Sequence, residues 1–278
     1  MNNAQRFFNN LNFTVGFILS VVVILAAVTS LIWTPYDSNK INAKERLQGP
    51  SWRHPLGTDQ YGRDTLSRVM KGAVNSIIVG LITIAVGLGI GVIIGLAAAY
   101  YGKIVDEMLM RLCDLIFGFP AVLTAILIAS ILRPSIVNAM LAIGIFYIPV
   151  FARLTRATAL SILAREFITA ARAGGVGELG IICRHVLPNI LSPLIIQGSI
   201  QFAVAILAEA GLSYLGLGTQ PPNPSWGLML NDAQTFLSIS PWMAIFPGIA
   251  IAWAVLGFNL LGDGLRDTLD PKMMKGRR

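Results

Sequence analysis

Three glycines raise the first chemical possibility in this 278-residue sequence. Within "EFITAARAGGVGELGIICRHVLPN" (166–189), Gly175, Gly177 and Gly180 have GxGxxG spacing. In a dinucleotide-binding turn that spacing lets the backbone approach a pyrophosphate, but the turn needs a buried strand before it and a helix opening from it. Here the preceding "LSILAREFITAARA" reads as helix, and no ribose-binding acidic residue follows a second strand. GxxxxGK[ST], the loop that holds ATP phosphates, is absent too. The chain itself is therefore not expected to bind a nucleotide.

Charged residues inside apolar runs come next, because a carboxylate or guanidinium at mid-bilayer costs about 2.5–3.5 kcal/mol on insertion scales. Glu209, in "AILAEAGLSYLG", reads either as a pathway-lining or gate carboxylate or as a bundle-facing group bonded to a neighbouring helix. Arg111 and Asp114 stand three apart and can pair on one helix face. Asp263, Arg266, Asp267 and Asp270 follow the last apolar run and read as interfacial. The two histidines, His54 and His185, and two cysteines, Cys113 and Cys183, have no metal-ligand spacing. Nothing resembles HExxH or GxSxG, which leaves an intramembrane enzyme without a nucleophile or metal motif.

The elements that must hold these residues are apolar. The chain is 55% hydrophobic and 13% charged, against about 25% charge in a soluble domain. Six stretches reach the roughly 20 apolar residues that cross a bilayer. They are 13–34, 74–101, 108–132, 136–158, 190–216 and 242–262, so the expected fold is all-α and polytopic, with six transmembrane helices. The first is longer than a signal-peptide core and lacks a clean cleavage site, and it reads as an anchor. In the second, Gly80, Gly87, Gly91, Gly95, Ala98 and Gly102 put small residues on one face, where another backbone can come close. Pro120, in "FGFPAVL", is expected to kink the third. No linker or low-complexity segment marks a second soluble domain.

Net charge is +7, and its distribution between apolar runs fits basic flanks of membrane spans rather than a nucleic-acid surface. Arg153, Arg156, Arg165, Arg172 and Arg184 surround the 159–189 loop, and Arg266, Lys272, Lys275, Arg277 and Arg278 lie in the tail. Both termini and that loop are therefore expected in the cytoplasm. The 35–72 segment conflicts, because it carries Lys40, Lys44, Arg46, Arg53, Arg63, Arg68 and Lys71 yet falls outside by this count. Its end, "GRDTLSRVMKGA", reads as a short amphipathic surface helix with Leu66, Val69, Met70 and Ala73 on one face and Asp64 as cap.

The 166–189 stretch then reads as an elbow. A short helix over 164–173 is stopped by Gly174 and Gly175. A second, over 178–186, places Leu179, Ile182 and Val186 on one face, and Pro188 breaks it before the fifth span. Two readings stand: an element that docks a protein partner, with Ala170 and Ala171 allowing close approach, or a loop folded back on its own bundle.

From Thr169 onward the elbow resembles the EAA loop of ABC-importer permeases, EAA-x3-G-x9-I-x-LP. Ala170, Ala171, Gly175, Leu187 and Pro188 match; Thr169 stands where that motif has Glu, and His185 where it has Ile. Glu166, one turn earlier, is positioned to replace some of the missing contacts. "HPLGTDQYGRDTLSR" (54–68), "LSYLGLGTQPPNPSWGLML" (212–230) and "FNLLGDGLRDTLDP" (258–271) resemble the C-type permease subunit of the dipeptide, oligopeptide and nickel branch, so the resemblance covers nearly the whole chain.

The resemblance implies a type I importer permease fold in a bacterial inner membrane. It implies an N-terminal unit, 1–72, of anchor helix and outer loop, then a core, 73–278, of five spans with a cytoplasmic coupling loop at about 159–189. Partners would be a second related permease forming a heterodimer, two ATPase subunits that bind ATP and Mg, and an extracytoplasmic substrate-binding protein. The chain itself would be non-catalytic and carry no cofactor or metal. Glu166, Thr169, Ala170, Ala171, Gly175, His185, Leu187 and Pro188 would dock the ATPase, and Glu209, Asp114 and Arg111 are the pathway or gate candidates. Dipeptides or short oligopeptides are the first expected substrate, and nickel or a metal chelate the alternative. A secondary transporter would need intramembrane ion sites and internal repeats, and neither is evident. The outer loop "GTQPPNPSWGLMLNDAQTF" (218–236) reads equally as a plug or as a docking surface.

Overall fold

The computed structural model describes residue 8 and residues 10–269. Arg6, Asp270 and the basic tail at Lys272, Lys275, Arg277 and Arg278 lie outside the described residues. The described chain is helical: α1 (Leu11–Ile32), α2 (Thr65–Tyr101), α3 (Lys103–Phe117), α4 (Ala121–Leu132), α5 (Ile136–Leu163), α6 (Glu166–Ala173), α7 (Glu178–Ile181), α8 (Leu187–Tyr214), α9 (Trp226–Ala233) and α10 (Trp242–Leu269). Five helices are long and apolar enough to cross a membrane. They correspond to five of the six expected spans. The sixth, at 108–132, is divided into α3 and α4, of 15 and 12 residues. Pro120 lacks an N–H and its ring clashes with the carbonyl four residues back. Together with Gly118, it breaks the helix rather than bending it, and Pro120 becomes the N-cap of α4.

The small-residue face of α2 meets α5. A Cβ added at Gly87 would lie 2.5 Å from the Tyr147 Cβ, and one at Gly91 would lie 2.7 Å from the Ile148 carbonyl oxygen. Without a hydrophobic drive between helices in lipid, such close backbone packing is a main source of cohesion. Gly102 does not belong to this face; it has φ +59° and forms the bend between α2 and α3. A second close crossing joins α1 to α10. Gly16 sits 2.6 Å (from its added Cβ) from the Leu260 carbonyl carbon, and Gly264 sits 2.5 Å from the Phe13 nitrogen.

At 37 residues, α2 is about 55 Å long, well beyond a hydrocarbon layer of about 30 Å. The segment expected as a separate surface helix is its opening turns, and the helix runs through residues 72 and 73 without a break. Asp64 does cap it, accepting from the Ser67 N–H at 2.8 Å. These projecting turns are wrapped by residues 33–64 and by the 215–241 connection, forming a polar cap at one end of the bundle. Arg63 and Arg68 are buried there. Arg63 pairs with Asp59 at 2.6 Å and Asp232 at 3.5 Å, and Arg68 lies 3.6 Å from Asp59. His54 meets Asp64 at 2.9 Å.

Candidate functional site

At the opposite end of the bundle, α5 ends at Leu163, and only Ala164 and Arg165 separate it from α6. The end of α6 is closed by two backbone bonds: Val176 N–H to Ala171 C=O at 3.1 Å, and Gly175 N–H to Arg172 C=O at 3.0 Å. This is the Schellman arrangement, which needs a left-handed residue just past the helix. Gly175 supplies it with φ +82°, and an added Cβ there would meet nothing within 4 Å. Gly175 is thus required by backbone conformation and not by crowding. Arg172 then pairs with Glu178 across the turn at 3.3 Å.

Apolar anchors fix this elbow to the bundle. Ile168, Ile181, Val186 and Ile190 are all 0% exposed and belong to one core cluster with Ile162. The second short helix differs from its expected form. Only 178–181 is α-helical, and 182–186 forms a wider π turn in which the Leu187 N–H reaches the Ile182 carbonyl. Pro188 has no N–H to give an α-turn there, and the widened turn absorbs that loss. The helix therefore continues into α8 instead of breaking, giving one path from Glu178 to Tyr214. The extra residue also rotates the faces. Val186 is buried, whereas Leu179 is 78% exposed, so the two do not share a face; Ile181 takes the inward place.

The residues expected to dock a partner differ in their exposure. Glu166, Thr169, Ala170, Gly175 and Pro188 are exposed, while Ala171, His185 and Leu187 are half-buried. Phe167, 41% exposed, packs its ring 6.1 Å from that of His185. Glu166 lies in the first turn of α6, where the helix dipole favours an anion. The exposed positions are mainly small and apolar side chains, with Glu166, Arg172 and Arg184 among them. The GxGxxG glycines follow a helix and not a strand. Gly177 is the N-cap of α7, and an added Cβ at Gly180 would come 3.0 Å from the Val176 side chain. Among the described residues no cluster of His, Cys, Asp or Glu could hold a metal ion.

The expected Arg111–Asp114 pair is not formed. Arg111 pairs with Glu107 at 2.5 Å, and Asp114 reaches across to Arg153 on α5. The Arg153 guanidinium also stacks 4.5 Å from the Phe117 ring centroid, and Arg156 holds Asp106. Charges on α3 thus tie it to α5. Glu209 is 0% exposed, near the C-terminal end of α8. It accepts from Ser213 at 2.6 Å, Thr219 at 3.2 Å and Ser76 at 3.4 Å.

Residues 218–236 fold back over their own bundle. Trp226 is buried and donates from its indole to the Val69 carbonyl at 2.9 Å, and Asn75 donates to the Pro224 carbonyl at 2.6 Å. Sequence reasoning missed this cap. A signal for it was present in "GTDQYGRDTLSR", where acids and bases alternate closely enough to neutralise one another. A cavity of about 490 Å³ remains beside it, lined in part by Arg46, Tyr61, Asp232 and Phe236. Burial pushes the Asp232 carboxyl up from the usual aspartate range, against a hydrogen bond from Gln60 and the charges of Arg63 and Arg68.

A family model described as the inner membrane component of binding-protein-dependent transport systems matches residues 87–275. The chain is similar to a dipeptide transport system permease protein of Alkalihalophilus pseudofirmus, 45% identical over 93% of this chain and 85% of that one. It is similar to a putative peptide transport system permease protein of Brucella abortus, at 42% over 97% and 91%. It is also similar to a glutathione transport system permease protein of Pectobacterium atrosepticum, at 44% over 86% and 80%. In fold it resembles a chain of the MetNI methionine ABC transporter in an inward-facing form. The TM-score is 0.58 at 16% identity, covering 74% of this chain and 96% of that one.

Proposed function

The chain belongs to the inner-membrane permeases of binding-protein-dependent transport systems, and from that premise we propose that it imports short peptides and receives its drive through the elbow at 164–190. As a permease subunit it is a non-catalytic, multi-pass membrane component, and ATP binding belongs to partner ATPase subunits. The relatives above are named for dipeptides, peptides and glutathione, all amide-linked amino acids, which favours a peptide cargo over nickel or a metal chelate.

The observation that carries the coupling role is the elbow's construction. It is exposed on its outer surface, bolted inward by Ile168, Ile181 and Val186, and continuous with α8. A push on α6 is passed on instead of being absorbed, because the 174–177 turn is closed by two backbone bonds and the Arg172–Glu178 pair, and Ile168 and Ile181 on its two sides share one core. Glu166, Thr169, Ala170, Ala171, Gly175 and His185 would face the ATPase, with Leu187 and Pro188 at the exit into α8. We further propose that α3 and α4 together make the third of six crossings in a type I importer fold. Both termini would be cytoplasmic, and a second permease would complete the pathway. The 1–72 unit would lead into the 73–278 core, in keeping with a family match that begins at residue 87. Arg63 and Arg68 support this topology, since both are buried against Asp59 and Asp232 and do not act as free flanking charges.

The test is uptake by the reconstituted complex with its binding protein, with the ligand identified by native mass spectrometry of that protein. ATP-dependent peptide uptake that survives collapse of the proton gradient is expected. Uptake by the permease without ATPase subunits would overturn the reading, and a nickel chelate as ligand would overturn the cargo.

A further inference from the structure

Glu209 is a buried carboxylate with no cationic partner in its hydrogen-bond set, and that set joins three separate parts of the chain. Ser213 donates from the same helix, Ser76 from α2, and Thr219 from the connection beyond α8. The Thr219 backbone N–H also donates to the Ser213 hydroxyl at 2.9 Å. The connection is held close to α8 by small residues. An added Cβ at Gly218 would come 2.9 Å from the Ser213 nitrogen, and one at Gly227 2.7 Å from the Ala210 Cα. Asn231 donates to the Tyr214 carbonyl at 2.7 Å. The 215–236 segment is therefore a lid fastened to the outer end of α8 as well as to α2 and, through Asp232, to Arg63, and Glu209 is the acidic group of the α8 fastening among the described residues.

The inner end of the same helix is the elbow. From Pro188 to Glu209 the helix rises about 32 Å, the depth of a bilayer core. Pro193 lies within it near the inner end, and the outer stretch from Leu194 to Tyr214 has no proline. One continuous element thus has the proposed ATPase contact at one end and the lid at the other. We propose that Glu209 is a positioning residue: a hydrogen-bonded clasp that makes the lid and the outer part of α8 one body, so that motion begun at the elbow opens or closes the outer face. This rests on the coupling role proposed for residues 164–190. It also assigns Glu209 to the lid and not to the cargo, since its carboxylate is fully covered by hydroxyl donors.

The assembled complex in nanodiscs, with its ATPase subunits and binding protein, allows two readouts. Amide exchange in 215–226 without ATP reports the clasp alone, whatever the elbow does. Peptide uptake per ATP hydrolysed reports transmission. Losing a buried set of three hydrogen bonds corresponds to about ten-fold or more in a local opening equilibrium. Glu209→Ala is therefore expected to speed lid exchange about ten-fold or more and to lower uptake per ATP by a similar factor, with ATPase activity retained. Glu209→Gln keeps an acceptor oxygen for Ser213 and Thr219 and is expected to stay close to the parent in both readouts. Thr219→Val and Ser76→Ala, which remove single donors, are expected to give smaller effects of the same kind, and they carry the test if Glu209→Ala does not assemble. A lid whose exchange is unchanged in these variants overturns the proposal. So does a looser lid with uptake per ATP unchanged, or a Glu209→Gln complex that loses uptake while its lid stays protected.

Discussion

Gly175 and Gly177 lie two positions apart in the same glycine-rich run, yet only Gly175 has a conformation that glycine alone adopts freely. Its φ of +82° closes α6, and open space surrounds the missing Cβ. Gly175→Ala is therefore expected to cost about 1 kcal/mol locally, from backbone strain without a clash. The check is faster amide exchange at Gly175 and Val176, whose N–H groups close the motif, with assembly unchanged. Gly177→Ala, at an ordinary extended φ of −65°, is expected to leave that exchange where it is. The bend at Gly175 was legible because glycine after an alanine-rich helix is itself a stop signal. The Arg111–Asp114 pair was misread because spacing along a helix shows which partners are possible and not which wins. Glu107, four residues before Arg111, has the better orientation for an ion pair, and Arg153 arrives from a helix that local spacing cannot reveal.

Helices carry the second lesson. The glycine face of α2 was readable as a close-packing surface, and it meets α5 as such. Gly91→Leu would drive a side chain into the Ile148 carbonyl oxygen and the Phe151 Cβ, each 2.7 Å from an added Cβ, and overpacking of this kind costs about 1–3 kcal/mol or more. The expected result is a lower melting temperature or failed assembly of the complex. Gly89→Leu is the matched control. It lies on the same helix two residues away, exposed, with nothing within 4 Å of an added Cβ, and is expected to be neutral. Helix continuity was less legible. The sequence rule that proline ends a helix placed a break at Pro188, yet the chain widens one turn and continues; the same rule asked only for a kink at Pro120, where the helix divides. The difference lies in the neighbours. Gly118 and Phe119 offer no anchor beside Pro120, while Val186 and Ile190 are buried on either side of Pro188 and hold the helix in line.

Across the whole molecule, the polar groups gather at the two ends of an apolar bundle. One end is a stiff elbow with an uncovered outer surface; the other is a cap whose acids and bases satisfy one another. The apolar runs made the bundle legible, and the elbow followed from its motif. The cap was only partly legible, because Asp59, Arg63 and Arg68 alternate within one stretch but their further partner Asp232 comes from the 215–241 connection, which local spacing does not reveal. Joining the two ends is the central claim: force applied at 166–189 travels along α8 to the opposite face. The most direct measurement places Gly175→Arg permease, with its partner subunits and binding protein, in proteoliposomes and follows peptide uptake and ATP hydrolysis in the same vesicles. An added Cβ there meets nothing within 4 Å in this chain, and Gly175→Ala, which shares the backbone strain of the +82° φ, is the control for the long side chain placed where the ATPase is proposed to sit. Subunit stoichiometry is expected to hold and hydrolysis to continue, while uptake falls by about ten-fold or more, the equivalent of roughly 1.4 kcal/mol of lost coupling. Full uptake at the parent ratio of peptide to ATP would contradict the account.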